Sequence, residues 1–129
     1  DLVNSFNKNN LSAKMRVANF ENHTIIEIRG DSMPASAYVK MGEFTNQNID
    51  LMHGDRIFMF TDGFSDQVGG LERKKLMSTG FKKLLVESAP LTISQQKEAL
   101  NEALFKWMHS DFEECEQIDD ITLIGIEIN

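Results

Sequence analysis

The chain has 129 residues, with 13 Lys and Arg against 20 Asp and Glu, which gives a formal net charge of −7 at pH 7. Nucleic acid and anionic membranes both repel a chain this acidic, so neither is expected as a general partner. Hydrophobic residues make up 41% and charged residues 26% of the sequence, a balance typical of a folded domain. No apolar run reaches the roughly 20 residues of a membrane span, and the single cysteine, Cys115, excludes a disulfide within the chain. These observations predict one domain of a cytoplasmic protein.

The first part of the chain is predicted to be rich in β-strand. The Asn-rich residues 1–10 predict an irregular lead-in. Met15–Val17 and Thr24–Ile28 are predicted strands, and Glu21–His23 between them is typical of a hairpin turn. Glu43–Asn46 is a weaker strand candidate.

Two strongly apolar strands and two helices are predicted further along the chain. Arg56–Thr61 is continuously apolar in its middle, which predicts a strand covered on both faces, and Ile121–Ile128 predicts a central strand. Between them, apolar residues at helical spacing over Leu76–Leu85 predict one helix. Thr92–Gln95 is a capping-box pattern that predicts the start of a second helix, whose apolar stripe runs to Met108. A late strand that returns to an earlier sheet predicts an α+β or layered α/β domain.

Carboxylates stand at the ends of the two most apolar strands. Asp62 and Asp66 follow the first of these strands, and Asp119 and Asp120 precede the second. If the strands are antiparallel neighbours, these carboxylates meet at one edge of the sheet, where they repel one another unless a cation neutralises them. Oxygen ligands without Cys or His favour magnesium, manganese or calcium over zinc.

Other interpretations of the same residues stay open at this point. Asp62-Gly63 is a common turn dipeptide, and Asp119-Asp120 alone is typical of a solvated loop. A phosphatase of the haloacid dehalogenase type is excluded, because Phe60 stands where that class carries its nucleophilic aspartate. The basic clusters Arg73-Lys74-Lys75 and Lys82-Lys83 favour a solvated helix face, with a contact to an acidic partner or to phosphate as the alternative.

Two separated motifs resemble the SpoIIE-like bacterial branch of the metal-dependent protein phosphatases (PPM, or type 2C). Gly54–Gln67 is similar to the GD-x-hydrophobic-TDG-x-x-(D/E) motif of that family, and Asp119–Leu123 is similar to its closing DD-(I/V)-T motif. The shorter segments Gly30–Pro34, Asp66–Gly70 and Lys74-Lys75 resemble a subgroup that forms the output domain of large sensor proteins. The resemblance covers roughly Ile25 to Asn129.

The resemblance implies a layered αββα sandwich, mainly antiparallel sheet with helices, and a hydrolase of phosphoserine or phosphothreonine. It implies Mn²⁺ or Mg²⁺ as cofactor, with two ions in the complete domain. Asp62 and Asp119 match ligands of one metal, and Asp66 matches the ligand of a weaker third ion. Gly63 and Asp120 match supporting positions, with Gly63 keeping the strand exit tight.

The family motif that supplies a further, metal-bridging aspartate does not occur in these residues. No Gly-His-Gly is present, and residues 1–20 match the family poorly. We therefore expect residues 1–129 to be a single, partial domain, the C-terminal part of the catalytic domain of a larger bacterial regulatory phosphatase. Alone, this segment is expected to be inactive or nearly so.

The resemblance also implies the partners. These are a phosphorylated signalling protein (an anti-anti-sigma-type protein is one candidate) and upstream sensor domains of the full-length protein. A homodimer is a further expectation, which rests on an exposed sheet edge and not on the resemblance. The alternative is a non-catalytic phosphatase-like module that uses its sheet for binding or dimerisation, because an exposed sheet edge and apolar strands invite pairing with another chain.

Overall fold

A computed structural model describes residues 15–20, 23–28, 43–44, 46–109 and 114–129 of the chain. The chain divides into two compact units, Asp1–Asp50 and Leu51–Asn129, which are described separately. None of the helices within the described ranges is long and apolar enough to cross a membrane. The expectation of a single partial domain stays a prediction.

The first unit contains a β-hairpin. Strand β1 (Met15–Phe20) pairs antiparallel with β2 (His23–Ile28), in a register that places Met15 opposite Ile28 and Phe20 opposite His23. The predicted strand pair is confirmed, whereas residues 21–22 of the turn and the segment Gly30–Pro34 lie outside the described residues.

The predicted strand at Glu43–Asn46 is wrong. Residues 43, 44 and 46 have no regular structure, and residue 45 lies outside the described ranges. Asn is depleted in strands, and Phe44 is 51% exposed, so this short segment has no buried face that would hold it in a sheet.

A two-stranded antiparallel sheet forms the centre of the second unit. Strand β3 (Arg56–Phe60) pairs with β6 (Leu123–Glu127), with Arg56 opposite Glu127 and Phe60 opposite Leu123. Backbone hydrogen bonds continue past both strand ends, from Thr61 N to Thr122 O (3.0 Å) and from Gly54 N to Ile128 O (2.8 Å). The predicted pairing of these two apolar segments is therefore confirmed.

Between β3 and β6, the described residues form three helices and a small hairpin. Helix α1 is Gly63–Asp66, followed by the paired strands β4 (Val68–Gly69) and β5 (Lys74–Lys75). The longer helices are α2 (Met77–Glu87) and α3 (Ile93–Met108), close to the predicted positions.

The predicted capping box starts α3. Thr92 Oγ1 accepts from Gln95 N at 3.3 Å, and Gln95 Oε1 accepts from Thr92 N at 3.1 Å. By contrast, the basic segment at residues 73–75 is not on a helix, because Lys74 and Lys75 form β5 and α2 begins only at Met77. Gly70, with φ of +68°, allows the tight turn that folds β5 back onto β4.

The helices cover one face of the sheet. The centroid of the Phe60 ring lies 4.7 Å from that of Phe81 on α2. The centroid of the Phe64 ring on α1 lies 4.8 Å from that of Phe81. Phe81 is 1% exposed and Leu100 of α3 is 3% exposed, so the core of this unit lies between the helices and this face.

The other face of the sheet is apolar and exposed. Met59 stands opposite Ile124, and Ile57 stands opposite Ile126. Met59 is 50%, Ile124 48% and Ile126 43% exposed. The predictions of a strand covered on both faces and of a central last strand are therefore wrong for the described part of the chain, where the sheet has two strands and a helical layer on one side.

Arg56 ties the sheet to the connection between α2 and α3. Its guanidinium donates to Ala89 O at 3.0 Å, to Leu91 O at 2.7 Å and to Gln96 Oε1 at 2.8 Å. It also forms an ion pair with Glu127 Oε1 at 3.3 Å, and the Arg56 side chain is only 16% exposed. Arginine suits this position because its planar group carries several fixed donors.

We expect Arg56→Met to lower the free energy of unfolding by about 2–4 kcal/mol, because it removes charged hydrogen bonds and leaves the acceptor Oε1 of buried Gln96 without this partner. Urea unfolding followed by circular dichroism measures the change. Glu127→Gln is the control: it weakens only the partly exposed ion pair and should cost less than about 1 kcal/mol. An Arg56→Met protein as stable as wild type would contradict this account of the sheet–helix connection.

Candidate functional site

The two acid-bearing segments of the chain meet at one edge of the β3–β6 sheet. Asp62 follows β3, and Asp119 and Asp120 precede β6, so the antiparallel pairing brings the end of one strand to the start of the other. Thr61 joins the segments directly: its Oγ1 donates to Asp120 O at 2.8 Å and accepts from Thr122 N at 3.0 Å. The sequence predicted this edge but did not identify Thr61 as the residue that closes it.

The Asp62 carboxylate is exposed at this edge. Asp62 occupies the N-cap position of α1, but its side chain makes no capping hydrogen bond. Its backbone carbonyl instead accepts from Asp66 N at 2.8 Å and from Ser65 Oγ at 3.0 Å. The backbone is therefore anchored while the carboxylate is left for other partners.

Asp119 is exposed as well, and its carboxylate shapes the loop before β6. Its Oδ1 accepts from Asp120 N at 2.7 Å, and its carbonyl accepts from Gln117 Nε2 at 2.8 Å. One carboxylate oxygen thus holds the local turn, and the second is the atom that could face a ligand.

Gly63 is buried where the two segments come closest. A Cβ atom added to it would overlap the carbonyl oxygen of Asp120 and would lie 3.2 Å from Ile121 Cγ1. The need for glycine here comes from this close approach of two backbones, which agrees with the predicted tight strand exit.

Asp66 forms an ion pair with Lys75 of the same chain. Its Oδ2 lies 2.9 Å from Lys75 Nζ, and the two side chains are 43% and 49% exposed. Lys75 reaches it because β5 folds back on β4, directly after α1. This pair could not be predicted from the sequence, since a lysine nine positions downstream of an aspartate reaches it only through this turn.

Asp55, at the opposite end of β3, has a different function. Its Oδ2 accepts from Met52 N at 2.8 Å, and Gly54 beside it has a φ of +91°. Asp55 is therefore a turn residue. It lies at the end of β3 opposite the acidic edge, the edge of the sheet that carries Asp62, Asp119 and Asp120.

The acidic edge carries the candidate metal ligands. In the ranges that the structure describes, no three His, Cys, Asp or Glu side chains are grouped so that they could hold a metal ion. Asp62 and Asp119 are available oxygen donors of the kind that Mg²⁺ and Mn²⁺ prefer, whereas Asp66 is engaged by Lys75. The assignment of Asp62, Asp119 and Asp66 as metal ligands stays a prediction.

Comparison with known proteins identifies the class. The chain is similar to the SiaA-PP2C domain of Pseudomonas aeruginosa, with a TM-score of 0.60 and 27% sequence identity. The match covers 68% of this chain and 34% of that one, so the chain spans about a third of the structure that it resembles. The α+β class, with helices and antiparallel sheet as in a PP2C domain, is confirmed.

Residues 17–129 match the family described as Stage II sporulation protein E (SpoIIE). The chain therefore belongs to the SpoIIE family, which confirms the resemblance found in the sequence and supports a phosphatase class. No curated protein gives a significant match.

We expect Lys75→Met to strengthen Mn²⁺ binding by the chain about two- to fivefold, because it releases the Asp66 carboxylate from a cation that competes with the metal. Electron paramagnetic resonance of free Mn²⁺ measures the dissociation constant. Lys74→Met removes the same charge from the neighbouring position, where the lysine pairs with Glu72 instead, and serves as the control. Equal dissociation constants for the two variants would show that Lys75 does not compete with metal at Asp66.

Proposed function

We propose that the chain contributes the acidic edge of a metal-dependent phosphatase that hydrolyses phosphoserine or phosphothreonine on a signalling protein. The observation that carries the proposal is the convergence of the Asp62 and Asp119 segments at one sheet edge, tied together through Thr61. Membership of the SpoIIE family supports the reaction class.

In this proposal Asp62 and Asp119 hold one divalent ion, Mn²⁺ or Mg²⁺, and Asp66 holds a weaker one after Lys75 moves away. Divalent ions at such an edge supply positive charge for the phosphoryl group. The described residues form no complete metal site, so the proposal assigns the remaining ligands to a segment of a larger regulatory phosphatase. The apolar sheet face around Met59 and Ile124 is where further elements of that domain would pack.

The proposed substrate is a phosphorylated protein in signal transduction, and an anti-anti-sigma-type protein is one candidate. Sensor domains upstream in a full-length bacterial protein are the proposed regulators. The net charge of −7 supports a protein substrate over nucleic acid or an anionic membrane surface. The proposed location is the cytoplasm.

The test compares phosphate release by the 129-residue chain with release by the chain extended by its upstream coding sequence. We expect the chain alone to be inactive or nearly so, and the extended protein to be active with Mn²⁺. Asp62→Asn in the extended protein should lower the rate of phosphate release by more than about 100-fold. Loss of a metal ligand should lower activity more than loss of a residue that only orients a ligand, which costs about 10- to 100-fold.

Asp55→Asn is the matched control, since Asp55 flanks the same strand at its other end and holds only a turn. Its activity should stay close to that of wild type. Full activity from the 129 residues alone, or an unchanged rate in Asp62→Asn, would overturn the proposal.

The second candidate is a non-catalytic binding or dimerisation module, and the exposed apolar face of the sheet favours it. Met59, Ile124 and Ile126 present contiguous apolar surface that a second copy of the chain could cover. Light scattering on the chain separates the candidates: the module predicts a concentration-dependent homodimer without any response to Mn²⁺. Mn²⁺ binding that is lost in Asp62→Asn would exclude a purely non-catalytic module.

A further inference from the structure

Gln67 is a fully buried polar residue behind the acidic edge. It is 0% exposed, and its side-chain Nε2 donates to Glu116 O at 2.9 Å and to Val68 O at 3.0 Å. Its backbone carbonyl accepts from Trp107 Nε1 at 3.0 Å and from Leu76 N at 3.0 Å. One residue thus connects α1, the β4–β5 hairpin, α3 and the loop that leads to β6.

The bonds of Gln67 connect the two acid-bearing segments of the chain. Gln67 directly follows Asp66, and Glu116 lies three residues before Asp119. The Gln67 amide therefore joins the two acid-bearing segments from inside the unit, whereas Thr61 joins them at the strand ends. Two connections fix the spacing between the two segments better than one, because each prevents the segments from rotating about the other.

Burying the Gln67 side-chain amide has a free-energy cost, so core packing alone does not account for a glutamine here. In the described part of the chain, Gln67 Oε1 is buried without a hydrogen-bond partner. A buried polar atom without a partner is unfavourable, and an apolar side chain of similar length would avoid it. The two bonds that Nε2 donates are therefore the reason for a glutamine at this position.

We propose that Gln67 is a positioning residue that sets the separation between the Asp62 and Asp119 segments. The inference rests on the proposed metal role of those two aspartates. Gln67 touches neither metal nor substrate in this account; it holds the loop at Glu116 at the distance that lets Asp119 share an ion with Asp62.

Gln96 provides a matched control in the same unit. It is 1% exposed, and its Nε2 also donates twice, to Leu85 O at 3.0 Å and to Ser88 Oγ at 3.0 Å. These partners lie on α2 and at its end, and none of them belongs to an acid-bearing segment. Replacing Gln67 by methionine removes the two hydrogen bonds that its Nε2 donates. Replacing Gln96 by methionine removes three, because its Oε1 also accepts from Arg56 at 2.8 Å. Methionine keeps a similar side-chain shape at both positions.

The experiment measures Mn²⁺ dissociation constants of the wild-type chain and of Gln67→Met, Gln96→Met and Asp62→Asn, with urea unfolding in parallel. We expect Gln67→Met to weaken Mn²⁺ binding about tenfold, as for loss of a residue that orients a ligand. Gln96→Met should keep Mn²⁺ affinity within about twofold of wild type at an equal or greater loss of stability, because it also removes the bond from Arg56. This comparison separates positioning from general destabilisation.

Trp107→Phe keeps the test decisive if Gln67→Met fails to fold. It removes the bond from Nε1 to the Gln67 carbonyl together with part of the indole ring that lies beside Gly70, and it should weaken Mn²⁺ binding in the same direction by a smaller factor. If Gln67→Met binds Mn²⁺ with wild-type affinity, the positioning role is overturned, but the proposed metal function is not. If Gln67→Met is unfolded, wild-type affinity in Trp107→Phe leads to the same conclusion. Equal affinities for wild type and Asp62→Asn would overturn the proposed metal function and the positioning role with it.

Discussion

The antiparallel pairing of β3 with β6 is the constraint on which the candidate site depends. Thr61 and Asp120 are 59 positions apart in the chain, yet the Thr61 hydroxyl donates directly to the Asp120 carbonyl across the sheet edge that they share. Chain entropy opposes such a long-range contact, so the apolar strands and the helical layer must stabilise it. The two acid-bearing segments are brought together by a sheet whose stability comes from elsewhere.

The stabilising contacts lie on the face of the sheet that meets the helices. Phe60 contacts Phe81 there, and Arg56 donates to the connection between α2 and α3. The two ends of β3 thus have different chemistry: a hydrogen-bonded arginine anchors one end, and exposed carboxylates flank the other. This division lets the acidic edge remain open without weakening the core.

Much of this arrangement could be predicted from the sequence. Continuous apolar runs marked both strands, the capping box at Thr92 marked α3, and paired carboxylates marked the edge. The contacts of Lys75 and Gln67 could not be predicted, because they depend on how the β4–β5 hairpin turns. The degree of burial was overestimated at Met59, since apolar composition does not reveal how many layers cover a sheet.

Anomalous diffraction at the manganese edge, from crystals of the chain grown with Mn²⁺, tests the central claim most directly. The account predicts a peak within coordination distance of both the Asp62 and Asp119 carboxylates, about 2.0–2.3 Å from an oxygen of each. A peak at another site, or contact with only one of the two aspartates, would show that the shared edge does not assemble a metal site.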